Sequence, residues 1–369
     1  MSRVHCLFVT AGIALLAAPG PREARARARL RQVGYSVTFG GNTFRIWGGA
    51  KTGLMPKGVS VAPDGKRLYV TNFGRIGHHN LDVYDARTLR RIKKISFVGN
   101  AIESLSSWDS KTLYVTNFYG NRLHFISTNG YWIKTTITPG RMPKQMALSP
   151  DGKHLYVANW LGRVAKVDAK TGYRRGRVRT GKCPRGLSVS PDGKTLYVAN
   201  TCGRTVTVVD TATMKVRRQI RTGALPRHTA VTKDGKTLYV SILSRGTVEV
   251  IDTVKGRVTH KISVGGMPRT LELSKDEKFV YVACYSSHHL AIVDTKTRKA
   301  VVLPLDIVKA SGLAVHPNDK LIYVTGWCSM DVWVVERIRP GQTPGPLGKP
   351  PKRRLYYKRK AQSWGLGCK

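Results

Sequence analysis

Five short motifs carry the side chains best suited to chemistry. "MPKG", "MPKQ", "CPRG", "LPRH" and "MPRT" each set a cation after a proline, at Lys57, Lys144, Arg185, Arg227 and Arg269. If these five converge, they would receive an anionic group, the guanidiniums as forked donors and the ammoniums as point charges. Alternatively, each hydrogen-bonds carbonyls or asparagine side chains of a neighbouring unit, with Arg185 facing Asn200. Hydrolysis would need a carboxylate and a base beside them. Glu103 and His228 are the candidates, with Arg227 next to His228. One carboxylate among five cations makes a poor calcium site, because calcium takes six to eight oxygens. The chain has no G-x-S-x-G, H-E-x-x-H, glycine-rich phosphate loop or C-x-x-C-H. No cofactor is expected.

Cysteine and histidine offer two further chemistries. Cys183 and Cys202 flank "PRGLSVSPDGKTLYVANT", which reads as a hairpin. If Ser190 and Thr195 bracket its turn, Leu187 faces Val198, Arg185 faces Asn200 and Cys183 faces Cys202. That pair lies within disulfide reach. Cys284 and Cys328 lie at the top ends of the sixth and seventh units, and their pairing is left open. His78, His79, His228, His288 and His289 are scattered, whereas zinc or copper needs three or four converging ligands. No metal site is expected.

The elements that position these residues repeat along the chain. The tyrosines of "RLYV", "TLYV", "HLYV", "TLYV", "TLYV", "FVYV" and "LIYV" are Tyr69, Tyr114, Tyr156, Tyr197, Tyr239, Tyr281 and Tyr323. Each unit alternates β-branched runs with Asp-Gly and Asp-Thr turns, the pattern of a four-stranded antiparallel meander. Such units cannot bury both faces alone, so seven of them predict an all-β, seven-bladed β-propeller. The last unit runs from "MDVWVVERI" into "RPGQTPGPLGKPP", too proline-rich for a ladder strand. Its missing outer strand is assigned to "NTFRIWGG", residues 42–49, which closes the ring.

"SPDGKHLYVAN", "SPDGKTLYVAN" and "APDGKRLYVTN", followed by "VVDTATMKV" and "RTGALPR", resemble the YVTN-repeat β-propeller family over residues 42–338. The resemblance implies the fold. It does not select a function, since that architecture hosts binding proteins, surface-layer proteins, lactonases and domains of redox enzymes.

Residues 1–28 read as an export signal, with "CLFVTAGIALLAA" too short to span a bilayer comfortably. A basic linker at 29–41, the propeller at 42–339 and a basic, proline-rich, disordered tail at 340–369 complete the expected organisation. The expected destination is the periplasm, the cell surface or the extracellular space. With 63 Lys and Arg against 21 Asp and Glu, the formal net charge is +42. A surface of one sign attracts nucleic acid, another anionic polymer, an envelope component or, through the tail, a membrane surface. The same charge is also what a uniformly basic proteome would produce. Phe118, Tyr119, Trp160 and Trp327 lie in loops beside the cations, placed either to stack on a ligand or to cover blade ends. The reading that follows is a monomeric, exported binding or scaffold propeller that presents its top face to an anionic partner. The alternatives are a lactonase-like hydrolase centred on Glu103, His228 and Arg227, and a structural envelope protein held by its tail.

Overall fold

The computed structural model describes residues 36–74 and 79–346. The expected export signal, Cys6, His78, Cys368, and most of the expected linker and tail lie outside the described residues. Within them the chain forms seven antiparallel sheets and no helix.

The fourth sheet shows how the repeat becomes a blade. Pro184–Val189 is innermost, followed outward by Thr195–Asn200, Thr205–Asp210 and Val216–Arg221. Its first turn depends on Gly193 at φ +73°, while Asp192 accepts the Lys194 amide at 3.0 Å. Asp210 accepts the Thr213 amide at 2.8 Å and starts the turn to the outer strand. The second strand, "TLYVAN", is buried along nearly its whole length because both of its faces meet neighbouring blades.

Adjacent blades share apolar clusters. Tyr69, Leu81 and Val83 of the first blade pack with Leu113 and Val115 of the second, and each buried aliphatic side chain contributes about 1.5–3 kcal/mol. The repeated tyrosine also bolts one blade to the next. Tyr114 donates to Ala169 O at 2.8 Å, and Tyr323 of the last blade donates to Ala86 O of the first at 2.8 Å.

The seventh sheet closes the ring with both ends of the described chain. From the centre it runs Ala310–Val315, Leu321–Gly326, Asp331–Ile338, Asn42–Lys51 and Ser36–Phe39. The expected closing strand is present and longer than 42–49, with Thr43 opposite Ile338 and Lys51 opposite Asp331. Ser36–Phe39, which falls in the stretch read as linker, adds a fifth strand through a turn with Gly40 and Gly41 at positive φ. It was hidden because it lies outside the repeat period. Arg337, only 1% exposed, fastens the junction by donating to Asn42 at 2.8 Å, Asp319 at 2.6 Å and Asp276 at 2.7 Å.

The register departs from expectation in one respect. Leu187 faces Val198, but Pro184 rather than Arg185 faces Asn200. The innermost strand of every blade carries the same shift. In most blades it follows a residue in the left-handed region, as at Met55, Met142, Cys183, Leu225 and Met267. This is a β-bulge, in which two residues oppose one.

The Cys183–Cys202 disulfide forms despite the shift, with Cα atoms 5.3 Å apart. Cys183, at φ +54°, has left the ladder, so strict alternation of faces does not govern its side chain. Cys284 is a buried free thiol and Cys328 is disulfide-bonded, so the two do not pair with each other.

Candidate functional site at the channel mouth

The bulge aims the cations. In the five blades with that proline it falls just after it, and the next residue is the cation; Ala101 and Ala310 hold the proline's place in the second and seventh blades. Lys144, Arg185, Arg227 and Arg269 line one central cavity with Glu103, Gln145 and His228. Lys57 stands within electrostatic range of the other four. In the second blade Ile102 occupies the cation's register position, and Glu103 lies one residue further on, level with Gln145 and His228. Gly58 allows this crowding, since a Cβ there would sit 2.5 Å from Glu103 Oε2. Glu103, Gln145, His228 and Thr270 also border a lower cavity that reaches Ser60, Ser104 and Glu272.

The electrostatics are those of crowded like charges taken out of water. Burial and then Arg185 and Arg227 press the Lys144 amine down to about 5. Burial followed by the surrounding cations pushes Lys57 far below its usual range. The same causes lower Arg185 to about 10 and depress Arg227, while burial lowers Arg269. Arginine remains charged at neutral pH regardless. Burial raises Glu103 although the cations oppose it, and raises Glu272 to about 7. His228 is pushed down to about 3 by burial, Arg185 and Arg227, so it is neutral. Gln145 Nε2 lies 2.5 Å from His228 Nε2 and donates to it, which leaves the proton on Nδ1, a buried atom with no partner.

A collar of aromatic side chains stands over the cations. It comes from the residue after each second strand, whose amide bonds the carbonyl just ahead of the inner strand, as Phe73 does with Met55 and Trp160 with Met142, both at 3.0 Å. Phe73, Phe118, Trp160, Tyr285 and Trp327 occupy this position in five blades. Lys57 Nζ lies 4.6 Å from the Trp327 ring, Lys144 Nζ 3.7 Å from Phe118, and the Arg269 guanidinium 3.3 Å from Tyr285. Tyr119 packs on Phe73 and Phe118.

The fourth and fifth blades have Thr201 and Leu243 in this position instead. The collar is therefore interrupted at the two blades that carry Arg185 and Arg227. Neither guanidinium makes a hydrogen bond or ion pair among the described residues. Asn200, the partner considered for Arg185, donates to Thr205 and Thr207 and accepts the Gly181 amide. The inter-blade hydrogen-bonding role considered for Arg185 is thus not realised at that asparagine.

The remaining histidines hold loops in place. His79 meets Asp82 at 2.5 Å, His289 meets Val264 O at 2.8 Å, and His288 accepts the Lys309 amide at 2.8 Å. Among the described residues no group of three His, Cys, Asp or Glu is arranged to hold a metal ion. Glu103 and His228 border the same cavity, but no hydrogen bond joins them. The unpartnered His228 Nδ1 and the collar gap had no sequence signal, because each depends on which blades become neighbours.

Fold and site together define a seven-bladed β-propeller with a cationic channel mouth. Comparisons with known proteins agree on the architecture. The family described as "Lactonase, 7-bladed beta-propeller" matches residues 163–315. Antigen Lp49 of Leptospira interrogans serogroup Icterohaemorrhagiae serovar copenhageni (strain Fiocruz L1-130) is 30% identical over 112 residues, covering 29% of this chain and 24% of that protein. The chain thus matches about a quarter of the length of that relative. The solved structure titled Kuenenia stuttgartiensis Hydrazine Synthase superposes with a TM-score of 0.70 at 22% identity, covering 78% of this chain and 97% of that one. At that identity the likeness is one of fold.

Proposed function

We propose that the chain is an exported binding propeller of the YVTN-repeat type that takes an anionic group of an envelope component or other polymer into its channel mouth. The observation that carries this reading is the pair of unpartnered guanidiniums, Arg185 and Arg227, at the interruption of the aromatic collar. Guanidiniums confined near one another with Glu103 as the acid lining their cavity cost stability, and an anion that bridges them removes that cost. The disulfide and the partial match to a leptospiral antigen support export.

Titration with a heparin-derived tetrasaccharide at 0.15 M and 0.5 M salt tests the reading. Binding should weaken steeply with salt and disappear in the combined Arg185→Gln, Arg227→Gln variant. Absence of binding at 0.15 M salt by this probe, by DNA and by anionic vesicles alike would overturn it.

A second reading, hydrolysis of a small cyclic ester at the same mouth, draws on the lactonase family match and on Glu103 with His228 at the cavity. In that case Glu103→Gln abolishes turnover. For the binding reading the same variant tightens the anion, because it removes the mouth's negative charge.

A further inference from the structure

The third strand of each blade places one residue opposite the valine of the repeated "YV". In the first blade this residue is Asp82, facing Val70, and in the fifth it is Glu249, facing Val240. Both carboxylates are fully buried, and each meets a loop glycine amide and an outer-strand cation, Asp82 also accepting from Asn72 at 2.9 Å and meeting His79. Asp82 accepts the Gly53 amide at 2.8 Å and pairs with Arg91 of the outer strand at 2.9 Å. Glu249 accepts the Gly223 amide at 3.1 Å and faces Lys261 of the outer strand at 4.0 Å. The blade thus builds a carboxylate seat from a loop glycine amide and an outer-strand cation.

The third blade keeps the seat and lacks the carboxylate. Ala165 faces Val157, and Arg177 stands opposite Ala165 on the outer strand as Lys261 stands opposite Glu249. Gly140 lies three residues before Pro143, as Gly53 precedes Pro56 and Gly223 precedes Pro226. The space that remains is an open cavity of about 230 Å³ lined by Gly140, Asn159, Ala165, Arg163, Arg174 and Arg177, with Arg141, Pro139 and Leu161 at its edge. None of these four arginine side chains has a hydrogen bond or ion pair among the described residues. The sixth blade also has an alanine, Ala291, but there Val264, Cys284 and His289 pack around it and Val302 stands opposite it on the outer strand where the third blade has Arg177.

We infer that the third blade binds a small organic carboxylate in the seat that Asp82 and Glu249 fill from within. The carboxylate would accept from the Gly140 amide and Arg177, with the other arginines around it. The cavity exceeds the needs of a bare carboxylate, so the ligand carries an uncharged body that rests on Pro139 and Leu161, the latter 55% exposed. Charge alone does not define this site, since the matching blades supply the geometry.

Benzoate is a suitable probe, titrated against chloride at constant ionic strength while the Gly140 amide is followed by NMR and unfolding by calorimetry. The Gly140 resonance should shift saturably with benzoate, and the melting temperature should rise by mass action. Arg177→Gln should weaken binding by about tenfold, the loss expected for one charge-assisted hydrogen bond. Ala165→Glu supplies the carboxylate internally, so it should raise the melting temperature without benzoate and abolish the response to it. The combined Arg185→Gln, Arg227→Gln variant should respond as the wild type does, which separates this site from the channel mouth. An unmoved Gly140 resonance, an equal response to chloride, or unchanged benzoate binding in Arg177→Gln would each overturn the inference.

Discussion

Two regions of the ring enclose arginine in opposite ways. At the closure, Arg337 is surrounded by Asp276, Asp319 and Asn42, and Arg45 meets Glu336 at 2.7 Å nearby. At the channel mouth, Arg185 and Arg227 lie among Lys57, Lys144 and Arg269 with Glu103 as the acid lining the same upper cavity. Every donor direction used by Arg337 ends on an acceptor, so its burial stabilises the junction it crosses. At the mouth Arg185 and Arg227, half-buried, leave their donors unanswered, and the crowding of like charge raises the energy of the free protein. The contrast separates a region whose buried charge is paired from one whose charge is not, and the proposed anion would supply the missing partner.

The largest test of that contrast removes the closure itself. Deleting the segment through Gly49 strips the outer strands from the seventh blade and exposes the edge of Asp331–Ile338. The melting temperature should fall by on the order of 10 °C; an unchanged value would show that the first and last blades hold without the strand. Arg337→Ala should cost about 3 kcal/mol in urea unfolding, because it strips the buried Asp319 and Asn42 of their guanidinium and leaves Asp319 only Arg339, at 2.9 Å. The matched change at the mouth, Arg185→Gln with Arg227→Gln, should leave stability unchanged or raise it. A comparable loss in both variants would erase the contrast.

The disulfide lies on the mouth side of the comparison. Cys183 opens the inner strand that carries Arg185, and the loop closed by the bond spans 19 residues. Cys202→Ser should cost about 3 kcal/mol on chain-entropy grounds, and it should weaken anion binding while leaving the closure intact. Peptide mapping that finds free Cys183 and Cys202 in purified protein would remove the bond from the argument.

The smallest expected effect concerns pH. The Lys144 amine in the folded chain is held near 5, against about 10.4 when unfolded. The folded state therefore binds fewer protons across that window, and Lys144 lowers stability progressively as pH falls through it. An anion in the mouth restores the proton, so tetrasaccharide binding should tighten from pH 8 to pH 6, by at most tenfold per unit for one proton. Lys144→Met should flatten the profile, and calorimetry in two buffers of different ionisation enthalpy should show the proton uptake directly. A flat wild-type profile would exclude Lys144 from the coupling.

The blades and their closure were legible in the sequence because the repeat fixes four strands per unit and the last unit was visibly one short. Register was legible only where the ladder is regular. It held at Leu187 with Val198 and slipped at Pro184, because a bulge costs one residue that no alternation pattern announces. The five cations were legible as a set from their shared proline. The gap over Arg185 and Arg227 was not, since Thr201 and Leu243 become informative only when set beside Trp160 and Tyr285 at the same height. The Arg337 cluster was also hidden, because Asp276, Asp319 and Asn42 are drawn together from three distant stretches.

The closing strand also bears on the order in which the protein can be made. Thr43 waits for Ile338, a partner synthesised nearly three hundred residues later. Six blades can assemble from contiguous chain while Asn42–Lys51 remains an unmatched edge, and the ring completes only after the last strand has left the ribosome or the translocation pore. A chain stalled before Asp331 therefore carries an open strand that can pair with another molecule, so the final strand also removes an edge open to association.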